Sequence, residues 1–206
     1  MLENAKLAAF LLVVINPVSK VAVLAALSQS HTKQELVSLS VRASAFGLLL
    51  LVTFSFAGKF ILQDIFRIRL YSIQFAGGAA IFLVGLRALR EGQFFTFSTD
   101  ASLRDLSTAP VGMPMIAGPA SIAAVLSAAS TESPLTASFA IVLAMAANLL
   151  VMLLSVYFSV ILKKGHILGP LVRIVGLFMA AIGAEMALGG LAAWLAAIGR
   201  TSQAAP

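Results

Sequence analysis

The sequence predicts an all-α membrane protein: six transmembrane helices in two three-helix repeats of inverted topology, with a proline-broken first helix in each repeat. Three observations carry this reading. The first is composition. Of 206 residues, 60% are hydrophobic and 11% charged, and the mean hydropathy is +1.02. A soluble domain carries more than twice that charged fraction and could not hide so much apolar surface. The second is a pair of polar, proline-containing stretches inside apolar runs, Asn16-Pro17-Val18-Ser19 and Gly118-Pro119-Ala120-Ser121. The third is internal similarity. Displaced by 102 residues, Pro17–Ser28 lies over Pro119–Ser130 with seven identities in twelve positions, including the shared Pro-x-Ser. A duplication is the simplest source of such a match.

The first span covers residues 6–28 and is broken at Asn16-Pro17. The stretch Leu7–Ile15 resembles the apolar core of a signal peptide. That reading is set aside, because the preceding residues are not strongly basic and residues 17–28 have a counterpart deep in the chain. Thr32-Lys33-Gln34-Glu35 has the capping-box pattern and starts the second helix, whose uncharged core is residues 43–58. Residues 59–69 form a short amphipathic connection, and the third span is 70–89. The first repeat therefore occupies 1–92, a polar connecting loop 93–107, the second repeat 108–199 and a polar tail 200–206. In the second repeat the spans are 109–130, with prolines at 110, 114 and 119, a fifth within 135–162, and a sixth over 171–195. The uncharged run 135–162 exceeds the roughly 20 residues that a bilayer needs, which predicts tilt or protrusion.

Three spans per repeat is an odd number, so the second copy enters the membrane from the opposite side. Gly78, Gly85 and Gly92 recur every seven residues, as do Gly176, Gly183 and Gly190. Seven residues is nearly two turns, so each set forms a groove for close helix packing. Lys and Arg number eight on one side of the membrane against five on the side holding the termini, which places both termini outside.

Composition also excludes chemistry. The chain has no cysteine, hence no disulfide, thiolate metal site or cysteine nucleophile. Its net charge of +6 is spread thinly over loops without interleaved aromatics, which suits anionic lipid head groups rather than nucleic acid. His31 and His166 are too far apart in sequence to suggest a metal site, and no cofactor is expected.

A helix interrupted at mid-membrane exposes unpaired N–H and C=O groups. The half-helix that starts there offers partial positive charge, and the one that ends there partial negative charge. Together they suit a small zwitterion, carboxylate to N–H and ammonium to C=O. The expected substrate-binding residues are Asn16, Pro17, Ser19, Gly118, Pro119 and Ser121. For the prolines the alternative is a packing kink, and for the serines a hydrogen bond to the carbonyl one turn back. Two charges lie within spans, Lys20 and Glu185. At about 1.5 Å per residue their axial offset is about 8 Å, so a charge pair is expected, or a proton-coupling role for Glu185. The alternative for Lys20 is snorkelling to the interface. Asn148, Thr53 and Ser55 are expected to bond between helices.

Asn16-Pro17, Gln74-Phe75-Ala76-Gly77-Gly78 and Ala117-Gly118-Pro119-Ala120, in that order, resemble the MarC family, also described as the neutral amino acid transporter family. The resemblance covers nearly the whole chain. It implies a prokaryotic inner-membrane protein of six spans in two inverted repeats, carrying small neutral amino acids such as glycine, alanine and serine with proton coupling. It does not imply an enzyme. The sequence departs from that pattern at Ser19 and Ala120, where the family often has glycine, and at Lys20 and Glu185, where a charge is unusual. These departures enlarge or charge the site and leave room for a different solute. Two other readings compete: an exporter similar to the lysine-exporter superfamily, and an intramembrane lipid-pyrophosphate phosphatase. The phosphatase needs acidic and arginine side chains near the breaks, which the sequence lacks there. A rhomboid-like protease needs an intramembrane Ser/His pair, and neither histidine lies in a span. A purely structural scaffold would leave the paired breaks unexplained.

Overall fold

Pro17 and Pro119 each open a helix. Proline suits the first helical position, where its missing N–H has no intrahelical partner to lose. A computed structural model describes residues 2–28, 31–92, 116–164 and 168–203, all helical apart from short links. The helices are α1 (Leu2–Ile15), α2 (Pro17–Leu27), α3 (Lys33–Lys59), α4 (Leu70–Glu91), α5 (Pro119–Thr131), α6 (Pro134–Lys164) and α7 (Leu168–Gln203). The expected loop 93–107, the prolines at 110 and 114, and His166 lie outside the described residues.

Local chemistry sets the boundaries. Thr32 and Glu35 form the expected capping box: the Thr32 side chain accepts from the Glu35 N–H, and the Glu35 carboxylate accepts from the Thr32 N–H at 2.8 Å. The connection after α3 is more helical than expected, since Phe60–Ile65 continues it as a π-helical turn. Gly92 ends α4 at φ 68°, so this member of the glycine series is a left-handed cap. The Ser133 hydroxyl accepts from the Thr136 N–H at 3.1 Å and starts α6 one residue before Pro134.

Five stretches are long and apolar enough to cross a membrane: Asn4–Ala25, Lys33–Ile65, Leu70–Glu91, Pro134–Tyr157 and Gly169–Gly199. The expected fourth span, 109–130, is represented among the described residues by α5. Its 13 residues span about 20 Å, short of the roughly 30 Å hydrocarbon layer. Large apolar side chains such as Leu49, Leu83, Phe178 and Leu188 point outward, as a lipid-facing surface requires.

α6 runs through the centre. Its buried residues Ala137, Ala140, Ile141, Ala144, Met145, Asn148 and Met152 follow helical spacing, and it packs against α1, α2 and α3. Ser55 of α3 donates to the Pro134 carbonyl at 2.9 Å, an interhelical bond of the expected kind. Thr53 instead bonds back to Leu49 O within α3, and the Asn148 amide bonds to Met152 within α6. Both are corrections: each side chain finds a nearer acceptor one turn away on its own helix.

α4 lies along α7, and the glycines make the seam. A Cβ on Gly78 would stand 2.7 Å from the Gly183 oxygen, and one on Gly183 would stand 2.6 Å from the Gly78 oxygen. Gly85 and Gly176 face each other in the same reciprocal way, at 2.6 Å and 2.9 Å. Numbers rise along α4 as they fall along α7, so the two helices are antiparallel. The contact is backbone to backbone, with no room for a side chain. Replacing Gly78 or Gly183 by alanine should lower the melting temperature of the purified protein by several degrees, an overpacking cost of about 1–3 kcal/mol. Gly199→Ala, with nothing within 4 Å of the added carbon, should leave it unchanged.

Candidate functional site at the two helix starts

The first interruption is built by one residue. Asn16 has φ 59°, a left-handed conformation that asparagine tolerates better than other residues with a side chain. Its N–H still closes the last turn of α1 on Leu12 O at 2.9 Å. Its side-chain oxygen then accepts from the Ser19 N–H at 3.3 Å, so Asn16 caps α2. The Asn16 amide nitrogen reaches the Met179 sulfur on α7 at 3.0 Å. The Ser19 hydroxyl donates back to the Asn16 carbonyl at 2.7 Å, the alternative weighed against substrate contact.

Lys20 completes this break. Its Cβ points toward the start of α2, as every helical Cβ points toward its helix N-terminus. The ammonium therefore reaches back and donates to the carbonyls of Ile15 and of Asn16, the latter at 3.2 Å. Only 1% of Lys20 is exposed. It neither snorkels nor meets Glu185, and the expected charge pair is corrected. Axial offset alone does not bring two side chains together, because Lys20 turns inward to the break while Glu185 lies on an exposed face of α7. Glu185 lines a groove of about 490 Å³ with Phe10 of α1, Gln74 of α4, Ser127 of α5 and Met186 of α7. There the Gln74 amide donates to the Ser127 hydroxyl at 2.9 Å.

The second helix start is built differently. Gly118 is the N-cap of α5 in extended conformation, with Pro119 next, and among the described residues no side chain caps the first turn. Gly118 and Ser121 are buried, as are Ile116 and Ala117 just before them. The Ser121 hydroxyl has no hydrogen-bond partner among the described residues. Ile116 packs its side chain against Gly47 of α3, beside the Met145 methyl of α6. One turn further along α6, the Asn148 side-chain oxygen is fully buried and has no partner among the described residues. The sequence assigned Asn148 to an interhelical hydrogen bond rather than to the site. Among the described residues the structure thus leaves the Ser121 hydroxyl on α5 and the Asn148 oxygen on α6 without partners, and a self-satisfied break at Asn16. Among the described residues no group of three acidic or histidine side chains is placed to hold a metal ion.

The sequence profile of the MarC family integral membrane proteins matches residues 3–195. The chain belongs to the MarC family. A UPF0056 membrane protein of Pyrococcus horikoshii is 34% identical over 183 residues, covering 89% of this chain and 90% of that one. The UPF0056 membrane protein YvbG of Bacillus subtilis is 26% identical over 191 residues, 88% of this chain and 90% of its own. The UPF0056 inner membrane protein MarC of Escherichia coli is 28% identical over 131 residues, 59% of each chain. No solved structure is a significant match. Membership makes this chain an integral membrane protein, in agreement with its five apolar spans.

The backbone turn at Asn16 gives this MarC family protein a graded test. Asn16→Gly keeps the left-handed conformation and loses the side-chain cap. Asn16→Ala loses the cap and also meets a left-handed penalty of about 1–2 kcal/mol. Melting temperatures should fall in the order wild type, Asn16→Gly, Asn16→Ala; equal values for wild type and Asn16→Ala would contradict the geometry.

Proposed function

We propose that this protein is a secondary transporter of small carboxylate-bearing solutes, with small neutral amino acids as the class that best suits the site, and that it works by alternating access between two inverted repeats. The observation that carries this is the start of α5. A buried helix N-terminus that no side chain caps among the described residues, with a Ser121 hydroxyl that has no partner among them, suits a carboxylate. Gly118 lets the ligand approach the backbone. The unsatisfied Asn148 oxygen on the neighbouring α6 is an acceptor of the type a ligand ammonium needs. The repeat reading is supported by two helices that begin at prolines 102 residues apart and by the reciprocal antiparallel glycine seam of α4 and α7. In this reading each repeat contributes one half-helix start, and rocking about the seam exposes the site to alternate sides. The location proposed is the prokaryotic inner membrane, after the printed name of the Escherichia coli relative, with both termini outside. No catalytic role is proposed.

The test is thermal stabilisation of the purified protein by L-alanine, glycine and L-serine, with acetate and L-lysine for comparison. The wild type should be stabilised by at least one neutral amino acid. Ser121→Ala should bind it about tenfold more weakly, the loss of one hydrogen bond to a charged group. Ser19→Ala should keep the wild-type affinity, because that hydroxyl already donates to Asn16 O. No response from any solute, or equal responses from wild type and Ser121→Ala, would overturn this reading.

A further inference from the structure

Lys20 is a fully buried lysine. Among the described residues no carboxylate lies within ion-pair distance of it, and its partners are two neutral backbone oxygens, of Ile15 and Asn16. Such a charge is costly inside an apolar bundle, so it needs an account beyond packing. These oxygens belong to the end of α1, the negative end of its dipole, at a point where the chain unwinds. Ser19 adds a hydroxyl oxygen to the same cluster, 2.7 Å from the Asn16 carbonyl oxygen. Backbone carbonyls at a broken helix end, helped by a hydroxyl and carrying no formal charge, form the type of ligand set that holds a monovalent cation in a membrane.

We propose that the Lys20 ammonium is a tethered monovalent cation, filling from within the chain a site at the Asn16 break that a sodium or potassium ion would otherwise occupy. The ammonium carries the same single charge and directs its N–H groups where an ion would accept oxygen lone pairs. The wild-type break is therefore complete without dissolved cations. Removing the ammonium should uncover an ion site. The inference does not depend on the transport reading, because it concerns the stability of the break in the absence of any solute.

The experiment is the melting temperature of purified full-length protein in sodium, potassium and choline chloride at fixed ionic strength. The wild type should melt at one temperature in all three. Lys20→Ala should melt lower in choline and regain roughly 5 °C, saturably, as sodium or potassium replaces it, the shift expected when a binding ion is in large excess over its Kd. Lys20→Arg, which keeps a tethered positive charge, should not respond. If Lys20→Ala does not fold, Lys20→Ser leaves similar space plus a hydroxyl ligand and is read in the same way. A variant that can be isolated in sodium but not in choline supports the proposal. It is overturned if the folded variant responds to cations no more than wild type does. Failure to isolate either variant even in sodium also overturns it, since the ion then cannot stand in for the ammonium.

Discussion

The carbonyls released at the end of α1 have to be satisfied inside an apolar bundle, and the surroundings of that break follow from this constraint. Water cannot serve as the general partner there, so the chain supplies its own. Asn16 turns the backbone and caps α2, Ser19 returns its hydroxyl to the Asn16 carbonyl, and the Lys20 ammonium takes the Ile15 and Asn16 oxygens. The same asparagine reaches Met179, which ties the break to α7. A kink at Pro17 alone would have left these oxygens bare. Three polar side chains within five residues make the interruption stable enough to keep.

The second helix start shows what happens without that set. Glycine stands where Asn16 would be, and alanine follows the proline where Val18 stands in the first copy. Among the described residues no side chain caps α5, and the Ser121 hydroxyl has no partner. Two stretches that look alike in sequence thus differ in chemistry, one closed on itself and one whose Ser121 hydroxyl has no partner among the described residues. The seam of α4 and α7 gives this pair a frame. Glycines bring the two backbones together so closely that no side chain fits between them.

Much of the fold was legible in the sequence. The capping box at Thr32, the helices opened by Pro17 and Pro119, and the close packing at Gly78, Gly85, Gly176 and Gly183 are local or periodic signals, and each appears in the structure. The MarC resemblance came from three short motifs in order, and the family match over residues 3–195 agrees with it. The site was legible only in part. Axial distance suggested a Lys20–Glu185 pair, but the rotation of each residue about its helix decides the contact. One signal was available: a long side chain in the first turn of α2 points back toward the break, which favours the α1 carbonyls as its partner. Asn148 was missed as a candidate because an orphaned oxygen depends on what α3 and α5 place around it, and no single-chain pattern records that. The expected loop and the start of the fourth span fall on residues 93–115, outside the described part of the chain.

The central claim is that the start of α5 is a site that a dissolved solute reaches. The chain has no cysteine, so a single one can report on it without background. The measurement is the modification rate of Ser121→Cys in membranes by a small, membrane-impermeant thiol reagent, with and without L-alanine. Ala137→Cys, at a fully buried position on α6, is the reference. The account predicts that Ser121→Cys is modified, that a neutral amino acid slows the reaction, and that Ala137→Cys stays inert. If Ser121→Cys is as inert as the reference, or reacts at a rate that no amino acid changes, the start of α5 is a packing feature and the account fails.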